Sequence, residues 1–477
     1  MSDLEKELFL TAPKGSLIKL LLRAAVVFIC SVIIAVGLMW MIRAIPFNNA
    51  YKHIYQEAQT LAHEPTYPQV LGKHITIYAL RRDNATDACM LSTMMPDPSR
   101  TAFQSALIDA HTSVSALAKA PSQKEAERLV KTGQYARYWH GYQLLYLPLL
   151  EMTSYNGARI TLAVILVLEL LVILALLVKR IGWQVALLFG LSVLAIYGFV
   201  IPFSFQFIAV FLISFAFSIV VLTKKRLSSY SLVLLLFFSG ILTVFFDFLT
   251  APFIACGLPL LCYLALRFHQ SPADFGGKRT YVQILSGSAA WLVGYGLFWV
   301  AKWILASAFL PINIMNDAMG AVTTRAGVGH TGNLHLVISA LVKVCTVLIP
   351  WQVSSSVLGR SLIFVAVVLA LFLVWLALYL RKHRRGKGAK NELPFLLVAI
   401  LPFVWLLGMA EHTSIHYWFS YRVVIVSIFA TLLFAYYSLK SLRINEVTDW
   451  DENDSELSRR VVSAEGGNTC RAFYVAH

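Results

Sequence analysis

Residues 159–180 read RITLAVILVLELLVILALLVKR, an apolar run broken only by Thr161 and Glu169 and closed by Lys179-Arg180. As a helix such a run spans the hydrocarbon core of a bilayer, which takes about 20 residues. The pattern recurs at 20–43, 183–201, 205–223, 229–247, 251–267, 282–309, 361–380, 393–410 and 419–440. The expected fold class is therefore an all-α polytopic membrane protein with about ten transmembrane helices. Composition agrees: 58% of residues are hydrophobic and 14% charged, where a soluble domain carries about 25% charged residues.

Charge sets the expected topology. Lys6, Lys14, Lys19 and Arg23 flank the first span, so residues 1–19 are expected in the cytoplasm. That span is long and no small-residue cleavage site follows it, which reads as a retained helix at 20–43 rather than a signal peptide. Lys179-Arg180, Lys224-Lys225-Arg226, Lys278 and Arg279, and the run Arg381-Lys382-His383-Arg384-Arg385 then mark the cytoplasmic side. This makes 46–157 a large first extracytoplasmic loop domain, within which 101–120 and 122–136 read as helical and Pro121–Glu125 as a helix start. Spans two to seven fill 158–310 and the last three fill 361–443. Between them lies an outer segment, 311–360. Its stretch 335–351 carries Lys343 and ends at Pro350-Trp351, which reads as a re-entrant or interfacial helix because 361–380 must run inward to the basic run. Both termini fall inside, and the tail 444–477 opens acidic and reads as disordered. The localisation expected is a multi-pass cell-membrane protein whose first partner is the lipid bilayer.

The formal charge of +15 sits largely in short inner segments, which excludes nucleic acid as the expected partner. The six cysteines form no CxxC and no evident pair. No internal repeat is visible, which weighs against an inverted-repeat transporter.

This topology collects polar residues at the outer ends. Asp83 and Asp87 are four apart in Asp-Asn-Ala-Thr-Asp. They suit a general base with a partner that tunes its pKa, or oxygen ligands for a divalent cation, or a capped turn. Asn84-Ala85-Thr86 also matches a glycosylation sequon. Tyr138, His140 and Tyr142 lie in YWHGY just before the second span; interfacial anchoring explains the aromatics, and a sugar or lipid headgroup would also fit them. Asp247 stands among phenylalanines, either as a helix cap or aimed into a cavity. Asp317, Arg325 and His330 share a loop in which Arg325 could fork a phosphate. Glu411, His412, His416 and Arg422 open the last span. The i, i+4 histidines could ligate zinc, but no third ligand adjoins them, so no metal site is expected and phosphate recognition fits better.

This layout resembles the GT-C class of integral membrane glycosyltransferases: a many-helix bundle, a large first outer loop, outer acids, and basic groups able to hold a lipid phosphate. The resemblance implies a polyprenyl-phosphate-linked sugar as donor and a cell-envelope glycan, glycolipid or protein as acceptor. It makes Asp83 or Asp87 the base that takes the acceptor hydroxyl proton, because the class places an acidic residue in this loop as base or substrate contact. The stretch IPFNNAYK at 45–52, right after the first span, holds no acid, and the first is Glu57. The strings DNATDACML, ARYWHGY and HYWFSYR also resemble those of bacterial polytopic membrane proteins of unassigned activity, which implies a bacterial source. Two other readings compete: a transporter or flippase of a lipid-linked glycan, which would need mid-span polar groups such as Glu169, Lys302 and Lys343, and a non-catalytic envelope-assembly protein.

Overall fold

The computed structural model describes residues 16–71, 77–109, 112–130, 135–247, 249–327, 333–349, 353–354, 356–383 and 391–440. The segment before residue 16, the acidic tail and His330 lie outside the described residues, as do the side chains of the basic run at 381–385. Among the described residues every regular element is helical. The extended pairings are two isolated bridges, Gln69 with Arg81 and Asp109 with Tyr135.

Helix α1 (Ser16–Ala44) leads into the loop domain. There α2 (Asn48–His63), α3 (Asn84–Met94), α4 (Ala102–Leu107), α5 (Val114–Lys119), α6 (Gln123–Arg128) and α7 (Gln143–Met152) follow. The bundle continues through α8 (Tyr155–Arg180), α9 (Trp183–Ala195), α10 (Phe205–Thr223), α11 (Ser229–Phe246), α12 (Ile254–Gln270) and α13 (Lys278–Phe309). After these come α14 (Ile314–Ala326), α15 (Asn333–Thr346), α16 (Val357–His383), α17 (Leu393–Gly408), α18 (Ala410–Ser420) and α19 (425–440).

Seven helical runs among the described residues are long and apolar enough to cross a membrane: α1, α8, α10, α11, α13, α16 and α18 continued into α19. Helices α9, α12, α15 and α17 are apolar but shorter. The expected span 183–201 is α-helical only to Ala195; Tyr197 then takes a left-handed φ of 53° and residues Gly198–Phe203 form a 3-10 turn. Thirteen residues reach only about 20 Å at the rise of an α-helix.

Helix α12 is the centre of the bundle. Every residue from Ile254 to Leu266 is buried, consistent with a sequence apolar on all faces. By contrast α16 packs little: no residue of its apolar stretch is buried, although Trp375 leans on Phe434, and this is the pattern of a lipid-facing helix. Helices α11 and α13 cross in close contact. A Cβ on Gly240 would sit 2.2 Å from the Trp291 carbonyl oxygen, and one on Gly294 2.2 Å from that of Phe237. Bare backbone at these two positions lets the helices approach to a distance that lipid-embedded packing favours.

The loop domain is built from capped short helices. Thr101 and Gln104 form a reciprocal capping box on α4, Ser113 caps α5, and Ser122 caps α6, so the helix start at Pro121–Glu125 is present. The helices themselves are far shorter than the expected 101–120 and 122–136, because the chain turns out of helix at Ile108 and again at Ala120. The domain shares one apolar core with the bundle, which joins Leu80, Met94 and Tyr142 to Phe205 and Phe245.

Candidate functional site

Five polar side chains meet where the loop domain closes over the end of α1. Asp109 accepts hydrogen bonds from Arg43, from His140 Nδ1 and, at 2.8 Å, from Gln143 Nε2. Arg43 also donates to the carbonyls of Thr93 at 2.6 Å and Met94 at 3.2 Å. These are last-turn carbonyls of α3, where a cation complements the helix dipole. Lys302, fully buried on α13, donates to the Ala106 carbonyl at 3.3 Å and lies 5.4 Å from the Trp139 ring centre. Burial pushes the Asp109 carboxyl up, but His140, Arg43 and Lys302 together outweigh it and hold it well below the usual carboxylate range. Burial lowers His140, against the opposing pull of Asp109, and its Nδ1 gives a hydrogen bond to the carboxylate. One buried carboxylate thus answers two buried cations.

Asp83 and Asp87 are both buried, and both carboxylates are taken up by the chain itself. Asp83 caps α3, accepting from the Thr86 backbone at 2.9 Å and the Thr86 hydroxyl at 2.7 Å. Asp87 accepts from the Tyr155 hydroxyl and from the backbone N–H groups of Phe205 at 2.9 Å and Gln206 at 3.1 Å, so it caps α10 from a distant segment. Burial pushes Asp83 up to about 6, against the Thr86 hydrogen bonds, and Asp87 up to about 7, against those of Tyr155 and Phe205. Perturbation of this kind marks structural carboxylates as readily as catalytic ones, and neither residue lines either of the two cavities described below. For Asp87 the expected result is that Asp87→Asn, which keeps an oxygen for one of the two N–H groups, melts within about 1–2 kcal/mol of wild type. Asp87→Ala strands both and loses about 2–4 kcal/mol. Thermal unfolding in detergent measures both.

Arg422 lies close enough to Asp83 to feel its charge. It is fully buried, with its guanidinium 4.0 Å from the Phe207 ring centre and one hydrogen bond, 3.3 Å to the Ala79 carbonyl. It is absent from the cavity lining that His412 and His416 share, although sequence grouped the three.

The YWHGY run is resolved by backbone conformation. His140 has a left-handed φ of 54°, and Gly141 donates its N–H to the Phe245 carbonyl at 2.8 Å. A Cβ there would lie 2.6 Å from that oxygen. The histidine and glycine are therefore fixed by the Asp109 contact and by the approach of α11. Tyr142 shares a 2.7 Å hydrogen bond with Thr93. Asp247 caps the following turn, accepting from the Thr250 N–H at 2.9 Å.

The remaining candidates do converge. A cavity of about 490 Å³ is lined by Arg137 and Asp317, by Arg325, and by Glu411, His412 and His416. Arg137 donates to both Asp317 oxygens, at 2.7 and 2.8 Å. Arg325 gives one nitrogen to the Tyr138 hydroxyl at 2.7 Å. His412 Nε2 donates to the Leu249 carbonyl at 3.1 Å and its ring lies 4.8 Å from that of His416. Residue 249 itself is left-handed, φ 62°. His416 breaks the helical conformation of α18 (φ −110°, ψ 24°). Glu411 has no hydrogen bond or ion pair among the described residues and faces the same cavity.

No known family, curated protein or solved structure matches this chain.

The site therefore rests on its own geometry. Of the residues singled out in sequence, Asp317, Arg325, His412 and His416 line one cavity, and Tyr138 braces it through Arg325. Asp83, Asp87, His140, Tyr142, Asp247 and Arg422 hold the fold around it. Among the described residues no group of three or more His, Cys, Asp or Glu converges as a metal site. Sequence reading passed over Asp109, a single acid in the apolar stretch SALIDA, and gave Arg137 no role. The first was recognisable as a charge among apolar residues; the second had no local signal, because its partner Asp317 is 180 residues away.

Proposed function

We propose that this chain is a membrane glycosyltransferase that takes a sugar from a polyprenyl-phosphate donor at the 490 Å³ cavity and passes it to a cell-envelope acceptor on the extracytoplasmic face. What carries the reading is that the loop domain, α14 and α18 bring Arg137, Arg325, Glu411 and His416 to one cavity at the end of an apolar helical bundle. Its size lies in the range of small-molecule sites, about 300–1,000 Å³. Arg325, with one nitrogen on Tyr138, has further donors for a phosphate oxygen, and a planar fork suits that task. His416 is placed to give a hydrogen bond to the same group. Glu411 replaces Asp83 and Asp87 as the proposed base that takes the acceptor hydroxyl proton, since it lines the cavity and they do not. The Arg137–Asp317 pair holds the rim.

In this reading the chain crosses the membrane ten times. The short helices α9, α12 and α17 complete the crossings, α15 is re-entrant, and both termini lie in the cytoplasm. The basic connections at 224–226 and 278–279 then face inside and the cavity faces outside.

The test uses membranes from cells expressing the chain, incubated with radiolabelled polyprenyl-phosphate hexoses. Label is expected to leave the lipid fraction for a glycan fraction, and Arg325→Ala is expected to slow this about 10²-fold. Transfer no greater than that of membranes lacking the chain, for every hexose tried, sinks the proposal.

A further inference from the structure

A second cavity, of about 600 Å³, lies at the other end of the bundle. It is lined by Lys224, Lys225 and Arg226 from the α10–α11 turn, by Arg267 at the end of α12, and by Arg279 and Gln283 from the start of α13. Asp274 is the one acidic lining residue, and Lys278 adds a further cation. We propose that this cavity is an anion site that binds a phosphate group.

Positive residues on one side of a membrane protein are expected from topology alone. That bias explains their number and leaves open why they converge on a cavity between helices. Three observations go further. First, among the described residues none of Lys224, Lys225, Arg226, Arg267 and Arg279 lies within ion-pair distance of a carboxylate, and Asp274, which acts on Arg267 from farther off, is one charge against several. Second, two buried polar atoms at this cavity lack partners: Arg267 Nη1 and Gln283 Oε1. Gln283 is only 1% exposed. Its Nε2 donates to the Tyr263 hydroxyl at 2.9 Å and to the Ser229 hydroxyl at 2.5 Å. Both hydroxyls can donate instead, and the opposite amide orientation accepts from both and turns its NH2 toward the cavity. Third, α13 begins here with Gly277 as its cap and no side-chain cap hydrogen bond, so the positive end of its dipole faces the same space. A buried donor left unpaired is costly, and an oxyanion supplies acceptors to the guanidinium, the amide and the helix end together.

The phosphate can come from an anionic lipid headgroup reaching in at membrane level or from a soluble phosphate compound. Purified full-length protein in nanodiscs separates the two. In phosphatidylcholine discs, saturable binding of radiolabelled inorganic phosphate supports a soluble source. In discs containing phosphatidylglycerol, retention of that lipid through delipidation, with loss of phosphate binding, supports the headgroup. Either result is expected to weaken by about tenfold in Arg267→Gln with Arg279→Gln. Gln283→Glu, which keeps the side-chain shape and places a negative charge in the cavity, covers the case in which the double variant does not fold. Tryptophan fluorescence melting checks folding of each. No saturable phosphate binding together with no selective lipid retention overturns the proposal. So does binding that the folded variants leave unchanged.

Discussion

Asp109→Ala is expected to lose about 3–5 kcal/mol of stability, enough to remove most folded protein from the membrane. Among the described residues the carboxylate is the acid that Arg43 and Lys302 meet, and it also fixes His140 and Gln143. Removing it leaves two cations buried together without a counter-charge. Asp109→Asn is expected to fall nearly as far, since it keeps the shape but not the charge. Adding Lys302→Met to Asp109→Asn takes away one stranded cation and is expected to restore part of the loss, where two independent defects would add. The pH dependence has a definite sign. Because the folded carboxyl is held below its ordinary value, the folded state releases that proton more readily than the unfolded chain. The stabilisation is complete above about pH 4, the unfolded value, and fades as pH falls toward the lowered one. Thermal unfolding in detergent across this range should show that acid limb in wild type and a flatter one in Asp109→Asn. Equal acid limbs, or an Asp109→Ala protein as stable as wild type, would refute the assignment of Asp109 as the anchor of the loop domain.

The apolar runs were legible because lipid imposes a length and a composition that few other environments demand. Residues 159–180 announce α8, and 361–380 announce α16, from hydropathy alone. Where the reading fell short, local chemistry intervened. Residues 183–201 are apolar enough, but the left-handed Tyr197 ends the helix, and nothing in the letters marks that turn. The pair Asp83 and Asp87 illustrates a different limit. Their spacing suits either catalysis or capping, and the choice depends on Phe205, Gln206 and Tyr155, whose N–H and hydroxyl groups arrive from far along the chain. The cluster at the 490 Å³ cavity was legible as a set because the expected topology sends Asp317, Arg325, His412 and His416 to one end of the bundle. Its membership was not, since Arg422 lies on the same segment and turns inward onto Phe207.

Glu411→Gln is expected to lower transfer by about 10²–10⁴-fold, the contribution of a positioned general base. The carboxylate stands beside Arg325 and His416 on the cavity wall without a partner of its own among the described residues, while Asp317 is engaged by Arg137. Glutamine keeps the volume and the hydrogen-bonding reach and removes only the ability to accept a proton. The loss should therefore appear in turnover, with binding of a labelled polyprenyl-phosphate hexose unchanged. Arg325→Ala should show the complementary pattern, a loss of donor binding, because its task is to hold the phosphate. Asp87→Asn, in a segment that serves the fold, should turn over like wild type. Three variants thus give three distinct signatures in one assay. A Glu411→Gln protein that is folded and transfers at the wild-type rate would return the base to another carboxylate. Loss of turnover in Asp87→Asn with unchanged melting would point to the loop acid instead. If both carboxylate variants bound donor and transferred normally, proton abstraction by this chain would no longer limit the reaction, and the cavity would serve only to hold the lipid phosphate.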